Sequence, residues 1–219
     1  MIDIILLQTL GLKKNAAIAD VREAYLQLTT QIKFHRVLLS EERLRQEFTK
    51  YHEAYVSLLH QYEDEGLGTD DTYYPPDRIA TFLFNSGIYH LIKENYIKAG
   101  EKLQQAYNTN NKNILTNIYL GILLMMRKRN FPAEKYFSDA LKIDPDNEDA
   151  CFYAAENYTR AGKHKQALDM YYRVKKINPV RKDIDTKIRE TAKKSGIKIK
   201  GQPGSGQQLL RKISSIFNK

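Results

Sequence analysis

The sequence lacks several features that would point to a particular class of protein. It contains one cysteine, Cys151, in 219 residues, so it can form neither an internal disulfide nor a site with several cysteine ligands. Its apolar stretches stay shorter than the roughly 18 residues that a membrane-spanning helix needs. Asp3 stands where a signal peptide would carry positive charge, so we expect no signal peptide. These absences predict a cytoplasmic protein.

Groups of residues that carry out catalysis or bind metals are missing as well. The sequence has no glycine-rich phosphate loop, no nucleophile elbow, and no His/Glu pair at zinc-ligand spacing. Cys151 is expected to be a small buried apolar residue of a helix. We therefore predict a protein without enzymatic activity, catalytic residues, metal, cofactor or small-molecule substrate.

The positive charge of the chain is unevenly distributed along the sequence. Residues 181–219 hold 11 of the 35 Lys and Arg and 3 of the 26 Asp and Glu, which leaves 24 against 23 for residues 1–180. A nucleic-acid-binding domain is expected to show a basic stripe across its folded part. The sequence instead assigns the basic character to the C-terminal tail, which argues against binding of nucleic acid.

Residues of the same type recur every 34 positions between residues 80 and 181. Small residues recur where two helices would have to approach closely. Large apolar residues recur four positions after one set of these small residues, the alanines at 99, 133 and 167. The recurring sets are Gly87, Gly121 and Ala155; Ala99, Ala133 and Ala167; Leu103, Phe137 and Tyr171; Ala106, Ala140 and Val174; and Asn111, Pro145 and Pro179.

This pattern resembles the tetratricopeptide repeat (TPR), a helix-turn-helix unit that stacks into an α-solenoid. The resemblance implies three repeats, at 80–113, 114–147 and 148–181. A capping helix at about 182–195 is predicted from Ile184, Ile188 and Ala192, with Gly196 as its end. The predicted array therefore covers residues 80–195.

Residues 1–62 predict an antiparallel helical hairpin with a short first helix packed on it. The segment resembles a J-domain, the module that stimulates DnaK-type chaperones. The family's His-Pro-Asp motif would fall on Lys33, Phe34 and His35, so the resemblance implies the fold and argues against the activity. The matching residues are Leu10, Gly11, Leu12, Val21, Ala24, Tyr25 and Leu28, then Phe48, Tyr51, Ala54, Tyr55 and Leu58.

The predicted fold class is therefore all-α, with a J-like helical hairpin module followed by a three-repeat TPR solenoid and its capping helix. An acidic linker is predicted at 63–79 and a flexible basic tail at 196–219. One face of a short helix in the tail would be apolar, which suits a partner's groove, an anionic membrane or the protein's own body. These apolar residues are Leu209, Leu210, Ile213, Ile216 and Phe217.

The TPR resemblance also implies a peptide-binding groove, lined by the first helix of each repeat at positions 2, 5, 9 and 12. Chaperone-binding TPR domains of the carboxylate-clamp type carry Lys and Asn at positions 5 and 9 of the first repeat, where this chain has Phe84 and Ile88. We expect an exposed apolar strip with an acidic end. Its residues are Thr81, Phe84, Ile88, Leu91, Leu115, Ile118, Ile122, Met125, Asp149, Phe152, Glu156 and Thr159.

The sequence thus favours an adaptor or assembly scaffold that binds an apolar or amphipathic helix of another protein. Two alternatives remain open at this point. One is a co-chaperone-like component of a DnaK-type system, and the other is a regulatory adaptor recruited to the inner face of a membrane through its tail. Exchange of the tail between the grooves of two copies would also allow a homo-oligomer.

Overall fold

The structure is a computed structural model that describes residues 2–32, 41–68 and 73–196. Within these ranges the chain forms ten α-helices and no strand, so the fold is all-α as predicted. The chain divides into two compact units, Met1–Asn111 and Lys112–Lys219. The helices of the first are α1 (Ile4–Thr9), α2 (Ile18–Gln31), α3 (Glu42–Asp64), α4 (Pro76–Ile92) and α5 (Tyr96–Thr109); those of the second are α6 (Ile114–Met126), α7 (Asn130–Ile143), α8 (Glu148–Arg160), α9 (His164–Ile177) and α10 (Ile184–Ser195).

In the first unit, the short helix α1 is followed by a hairpin of α2 and α3. The hydroxyl of Tyr62, near the end of α3, donates to the carbonyl of Ala16, just before α2. Tyr25, in the middle of α2, stacks on Tyr55 with ring centroids 4.1 Å apart, so the two helices run antiparallel. The short helix α1 packs against α3, where the backbone N–H of Asp3 donates to the side chain of Gln61 at 2.7 Å.

The hairpin also packs against α4, the first helix of the first repeat. The ring of Phe82 lies 5.7 Å from that of Tyr55, and the amide of Asn85 donates to the hydroxyl of Thr29 at 2.9 Å. Both polar residues are fully buried, so this hydrogen bond satisfies groups that water cannot reach. The hairpin and the first repeat therefore belong to one compact unit. The boundaries predicted from the sequence, which end the J-like module at 62 and the acidic linker at 79, stay predictions.

Each repeat consists of two helices that cross at a small residue. A methyl group added at Gly87 would lie 2.7 Å from Cγ of Leu103, and one added at Gly121 would lie 2.5 Å from Cε1 of Phe137. These distances leave no room for a side chain, which explains glycine at both positions. Ala99, Ala133 and Ala167, on the second helix of each repeat, are fully buried.

The backbone shows the same 34-residue period as the sequence. Two residues after the last residue of each repeat's first helix, the backbone takes the left-handed conformation, with φ of 56° at Glu94, 59° at Lys128 and 74° at Gly162. In each case the next N–H donates to a carbonyl five residues before it, at 2.8 Å, which closes the helix. The repeats are therefore structurally equivalent at their turns.

In the second unit, α10 covers the end of the array. Ile184, Ile188 and Ala192 are buried against the core of the third repeat, and Gly196 ends the helix with a φ of 71°. The capping helix and its end were predicted from these same residues. It supplies the apolar cover that a further repeat would otherwise provide.

Candidate peptide-binding surface

The predicted groove residues on α4 and α6 are more covered than the sequence suggests. Six apolar side chains have exposures of 0 to 5%, so the expectation of an exposed apolar strip is wrong for them. Helix α6 buries nine of its 13 residues, as expected for a helix that is apolar on most of its surface. The six are Phe84, Ile88, Leu91, Ile118, Ile122 and Met125, whereas Thr81 and Leu115 are half-buried.

On α8, the predicted groove residue Phe152 is covered by an arginine from the loop before α10. The guanidinium carbon of Arg181 lies 3.7 Å from the centroid of the Phe152 ring. Arg181 also donates to Glu148 at 3.0 Å and to Asp183 at 2.6 Å, so its charge is compensated although the side chain is 4% exposed. A planar guanidinium suits this position because it can stack and pair at once.

The acidic end of the predicted groove is engaged by groups of the same unit. Glu156 accepts a hydrogen bond from the hydroxyl of Tyr171 at 2.5 Å and pairs with Lys187 of α10 at 2.7 Å. Burial and the bond to Glu156 raise the pKa of Tyr171, which therefore stays protonated. Asp149 and Thr159 are half-buried, and the Thr159 hydroxyl donates to the carbonyl of Ala155.

A cleft on the opposite side of α8 was not anticipated from the sequence. It has a volume of about 200 Å³ and lies between α7, α8 and α9, with Phe137, Leu141 and Met170 among its walls. Glu134 at its rim pairs with Lys163 at 2.6 Å. No periodic signal marks this cleft, because its lining residues also fill ordinary helix-packing positions.

The other predicted sites have different outcomes. Cys151 is fully buried and burial raises its thiol pKa to about 11, in keeping with an apolar role. In the described ranges, no three His, Cys, Asp or Glu side chains are grouped so that they could hold a metal ion. Within the same ranges, no helix is long and apolar enough to cross a membrane. Lys33, Phe34 and His35 and the tail helix with Leu209, Leu210, Ile213, Ile216 and Phe217 lie outside the described residues.

Comparison with known proteins identifies the fold. No protein-family model matches the sequence, and no curated protein matches it. Solved structures do match. YrrB, a TPR protein with an unusual peptide-binding site, has a TM-score of 0.53 at 17% identity, over 98% of this chain and 93% of its own. The MamA protein has a TM-score of 0.55 at 14% identity, over 91% and 90%.

A third match covers a shorter part of the chain. The first TPR domain of Spaghetti, bound to an HSP90 peptide, has a TM-score of 0.53 at 15% identity, over 55% of this chain and 95% of its own. At these identities the comparison bears on the fold, and the J-domain resemblance of residues 1–62 stays a prediction. The fold of this chain is that of the tetratricopeptide-repeat proteins.

Proposed function

We propose that the chain is a non-enzymatic adaptor or assembly scaffold that binds an apolar or amphipathic helix of another protein. The observation that carries the proposal is the chemistry of positions 5 and 9 on the first helix of each repeat. Five of these six residues are apolar, and the sixth is an acid at one end. They are Phe84, Ile88, Ile118, Ile122, Phe152 and Glu156.

These residues and the matched structures support this kind of ligand. YrrB has a peptide-binding site and the Spaghetti domain was solved with an HSP90 peptide, which supports peptide binding by this fold. A clamp for a terminal carboxylate needs cationic and amide donors, and Phe84 and Ile88 offer none. An apolar helix face is the complement that these positions favour.

The burial of the apolar positions adds a condition for binding. A helix that enters this surface has to displace whatever covers it, and in the second unit Arg181 is one such group. A ligand with a basic end could take over the carboxylates of Glu148 and Glu156. Affinity would then be the difference between the ligand's contacts and those of the displaced groups.

The chain's own tail has the required composition. If the tail forms the helix that its sequence predicts, one face would carry the apolar residues and Arg211 and Lys212 would stand beside it. The apolar residues are Leu209, Leu210, Ile213, Ile216 and Phe217. The proposal includes the tail as an occupant of this surface, either in the same chain or from a second copy. In the latter case the protein would form homo-oligomers.

A peptide titration tests the proposal. A full-length variant with Ile213→Asp, Ile216→Asp and Phe217→Asp should bind a labelled peptide of residues 207–219 more tightly than the unaltered chain, and should bind more of a dye specific for exposed apolar surface. The same peptide with the three Asp substitutions is the matched control and should not bind. The HSP90 peptide SRMEEVD should not compete.

The possible results separate the parts of the proposal. Equal dye binding and no peptide binding by either protein would contradict the tail as the occupant. Competition by the acidic peptide would contradict the apolar binding mode and indicate recognition of a carboxylate.

A further inference from the structure

The turns between the two helices of a repeat carry a concentration of positive charge in the second unit. The turn from α6 to α7 contains Arg127, Lys128 and Arg129, all exposed, between the exposed apolar residues Met126 and Phe131. The turn from α8 to α9 contributes three more basic residues, Arg160, Lys163 and Lys165. We call residues 126–131 and 160–165 together the turn edge.

The two turns of this edge are neighbours in space. The ammonium group of Lys163 lies 5.9 Å from the ring centroid of Phe131, and the amide of Asn157 donates to the carbonyl of Asn130 at 3.0 Å. Lys163 pairs with Glu134. In the part of the chain that the structure describes, Arg127, Lys128, Arg129, Arg160 and Lys165 form no ion pair, so their charges are available to a ligand.

The capping helix brings further positive charge to the same edge. Lys175 near the end of α9 pairs with Asp185 near the start of α10 at 2.5 Å. Ala167 and Leu168 near the start of α9 are buried in the same apolar cluster as Ile188 and Ala192 of α10, as expected of two helices that run antiparallel. At 1.5 Å per residue along both helices, the end of α10 lies level with the start of α9. Lys193 and Lys194, both exposed in the last turn of α10, are therefore expected beside the turn edge.

The opposite edge of the unit carries charges of both signs. Six carboxylates lie in the loops before α8 and α10 and in the first turns of these helices, and two of them enclose Arg181. Lysines and arginines lie at the same edge, so its charges largely compensate one another, in contrast to those of the turn edge. The carboxylates are Asp144, Asp146, Glu148, Asp149, Asp183 and Asp185, and the basic residues are Lys142, Arg173, Lys175, Lys176, Arg181 and Lys182.

We propose that the turn edge binds the surface of an anionic lipid bilayer. Lys and Arg side chains attract anionic headgroups, while Phe131, 82% exposed, and Met126, 46% exposed, can enter the boundary with the acyl chains. Projecting apolar side chains on both sides of the basic ones favour a bilayer over nucleic acid, whose phosphate backbone offers them no apolar phase. The surface of a bilayer is also flat enough to contact the two adjacent turns and the end of α10 at the same time. Binding at the turn edge does not depend on the proposed peptide-binding surface or on the tail, because both use other residues.

Vesicle co-sedimentation of the full-length protein tests the proposal. Vesicles of phosphatidylserine and phosphatidylcholine should bind the protein, pure phosphatidylcholine vesicles should not, and high salt should weaken binding. Each basic residue near an anionic surface contributes roughly fivefold in affinity, so Arg127→Glu, Lys128→Glu and Arg129→Glu together should reduce binding on the order of one hundredfold. The matched control is Lys13→Glu, Lys14→Glu and Lys50→Glu, three exposed lysines of the first unit that should matter little.

A second pair of variants tests insertion of the aromatic ring. Phe131→Ser should weaken vesicle binding by roughly tenfold, because the ring loses its apolar contact. Val180→Ser removes an equally exposed apolar side chain from the opposite edge and should leave binding unchanged. The substituted side chains are exposed, and circular dichroism with thermal melting confirms that the variants are folded.

Three results would overturn the proposal. One is equal binding of the turn-edge variant and the parent to anionic vesicles. Another is an equal loss of vesicle binding in the turn-edge variant and in the control variant with Lys13, Lys14 and Lys50 replaced. This result would indicate a general effect of charge. The third is displacement of the vesicles from the parent by a single-stranded oligonucleotide that does not bind the turn-edge variant. This result would indicate that the turn edge binds nucleic acid.

Discussion

The hydroxyl of Tyr25 and Nδ1 of His52 lie 2.6 Å apart and share a buried hydrogen bond between α2 and α3. The His52 ring also stacks on Tyr89 of α4, with centroids 4.4 Å apart. Burial, and secondarily the charge of His90, lower the pKa of His52 to about 4, against an opposing effect of Glu53. The imidazole is therefore neutral in the folded protein at neutral pH.

The low pKa of the buried His52 makes the stability of the first unit dependent on pH. Between pH 6.5 and about 4 the unfolded chain binds a proton at His52 and the folded chain does not, so the unfolding free energy falls as the pH falls. The contribution is complete above pH 6.5, and about 3 kcal/mol is lost by pH 4. Urea unfolding at a series of pH values measures this slope.

The substitution His52→Gln should reduce the slope of the unfolding free energy against pH, between pH 6.5 and about 4, by the equivalent of about one bound proton. His60→Gln is the matched control, because it makes the same replacement at an exposed position of the same helix. An unchanged slope in the His52 variant would assign the pH dependence to other groups.

Part of this architecture could be predicted from the sequence because its causes are local. The crossing of two helices demands a small residue, so Gly87, Gly121 and the buried Ala133 mark the repeats whatever surrounds them. The hydrogen bond between Thr29 and Asn85 joins residues 56 positions apart and has no periodic signature. Only the packing of the hairpin on α4 reveals it.

The candidate sites were harder to predict for a related reason. Whether Ile118 is exposed depends on what covers α6, which its repeat position does not specify. The turn edge was not predicted because its basic residues come from two separate turns of the sequence. Phe131 and Lys163 are 32 positions apart in the chain and become neighbours only when the repeats stack.

The turn residue Lys128 should be a source of strain that glycine would relieve. Its φ of 59° costs a residue with a Cβ atom about 1 kcal/mol relative to glycine, whereas Gly162 takes the same conformation without this cost. Lys128→Gly should therefore raise the unfolding free energy by about 1 kcal/mol, and Gly162→Ala should lower it by about the same amount. A Cβ at Gly162 meets no atom within 4 Å, so the loss there is conformational.

Urea unfolding of the three proteins measures these changes. Lys128→Ala is the control, since it removes the charge and keeps the Cβ atom, and it should leave stability nearly unchanged. If the unfolding free energy of the alanine variant rises as much as that of the glycine variant, the cause is relief of charge repulsion and not relief of backbone strain.

The crossing of α6 and α7 should be intolerant of a larger residue at Gly121. A Cβ there would lie 2.5 Å from the Phe137 ring, which is 1% exposed and cannot easily move. Gly121→Ala should therefore lower the unfolding free energy by about 1–3 kcal/mol. In the double variant with Phe137→Leu the combined loss should be smaller than the sum of the two single losses, and strictly additive losses would show that the two residues do not clash.

The J-like segment leads to a prediction about chaperone activity. We expect the unaltered chain not to stimulate ATP hydrolysis by a DnaK-type chaperone, because Lys33, Phe34 and His35 replace the motif that the J-domain resemblance requires. If the hairpin of α2 and α3 keeps the J-domain geometry, Lys33→His, Phe34→Pro and His35→Asp together should produce stimulation above the basal rate. A steady-state ATPase assay measures both.

The control carries His35→Asn in place of His35→Asp and should be inactive, since it retains the shape of the restored loop but not its carboxylate. Stimulation by the unaltered chain would contradict the adaptor interpretation and favour a co-chaperone. If the restored variant fails to stimulate while remaining folded, the hairpin resembles a J-domain in sequence pattern alone. Its role would then be the one visible in the first unit, where Phe82 and Tyr89 of α4 pack on it and the first repeat gains an apolar cover.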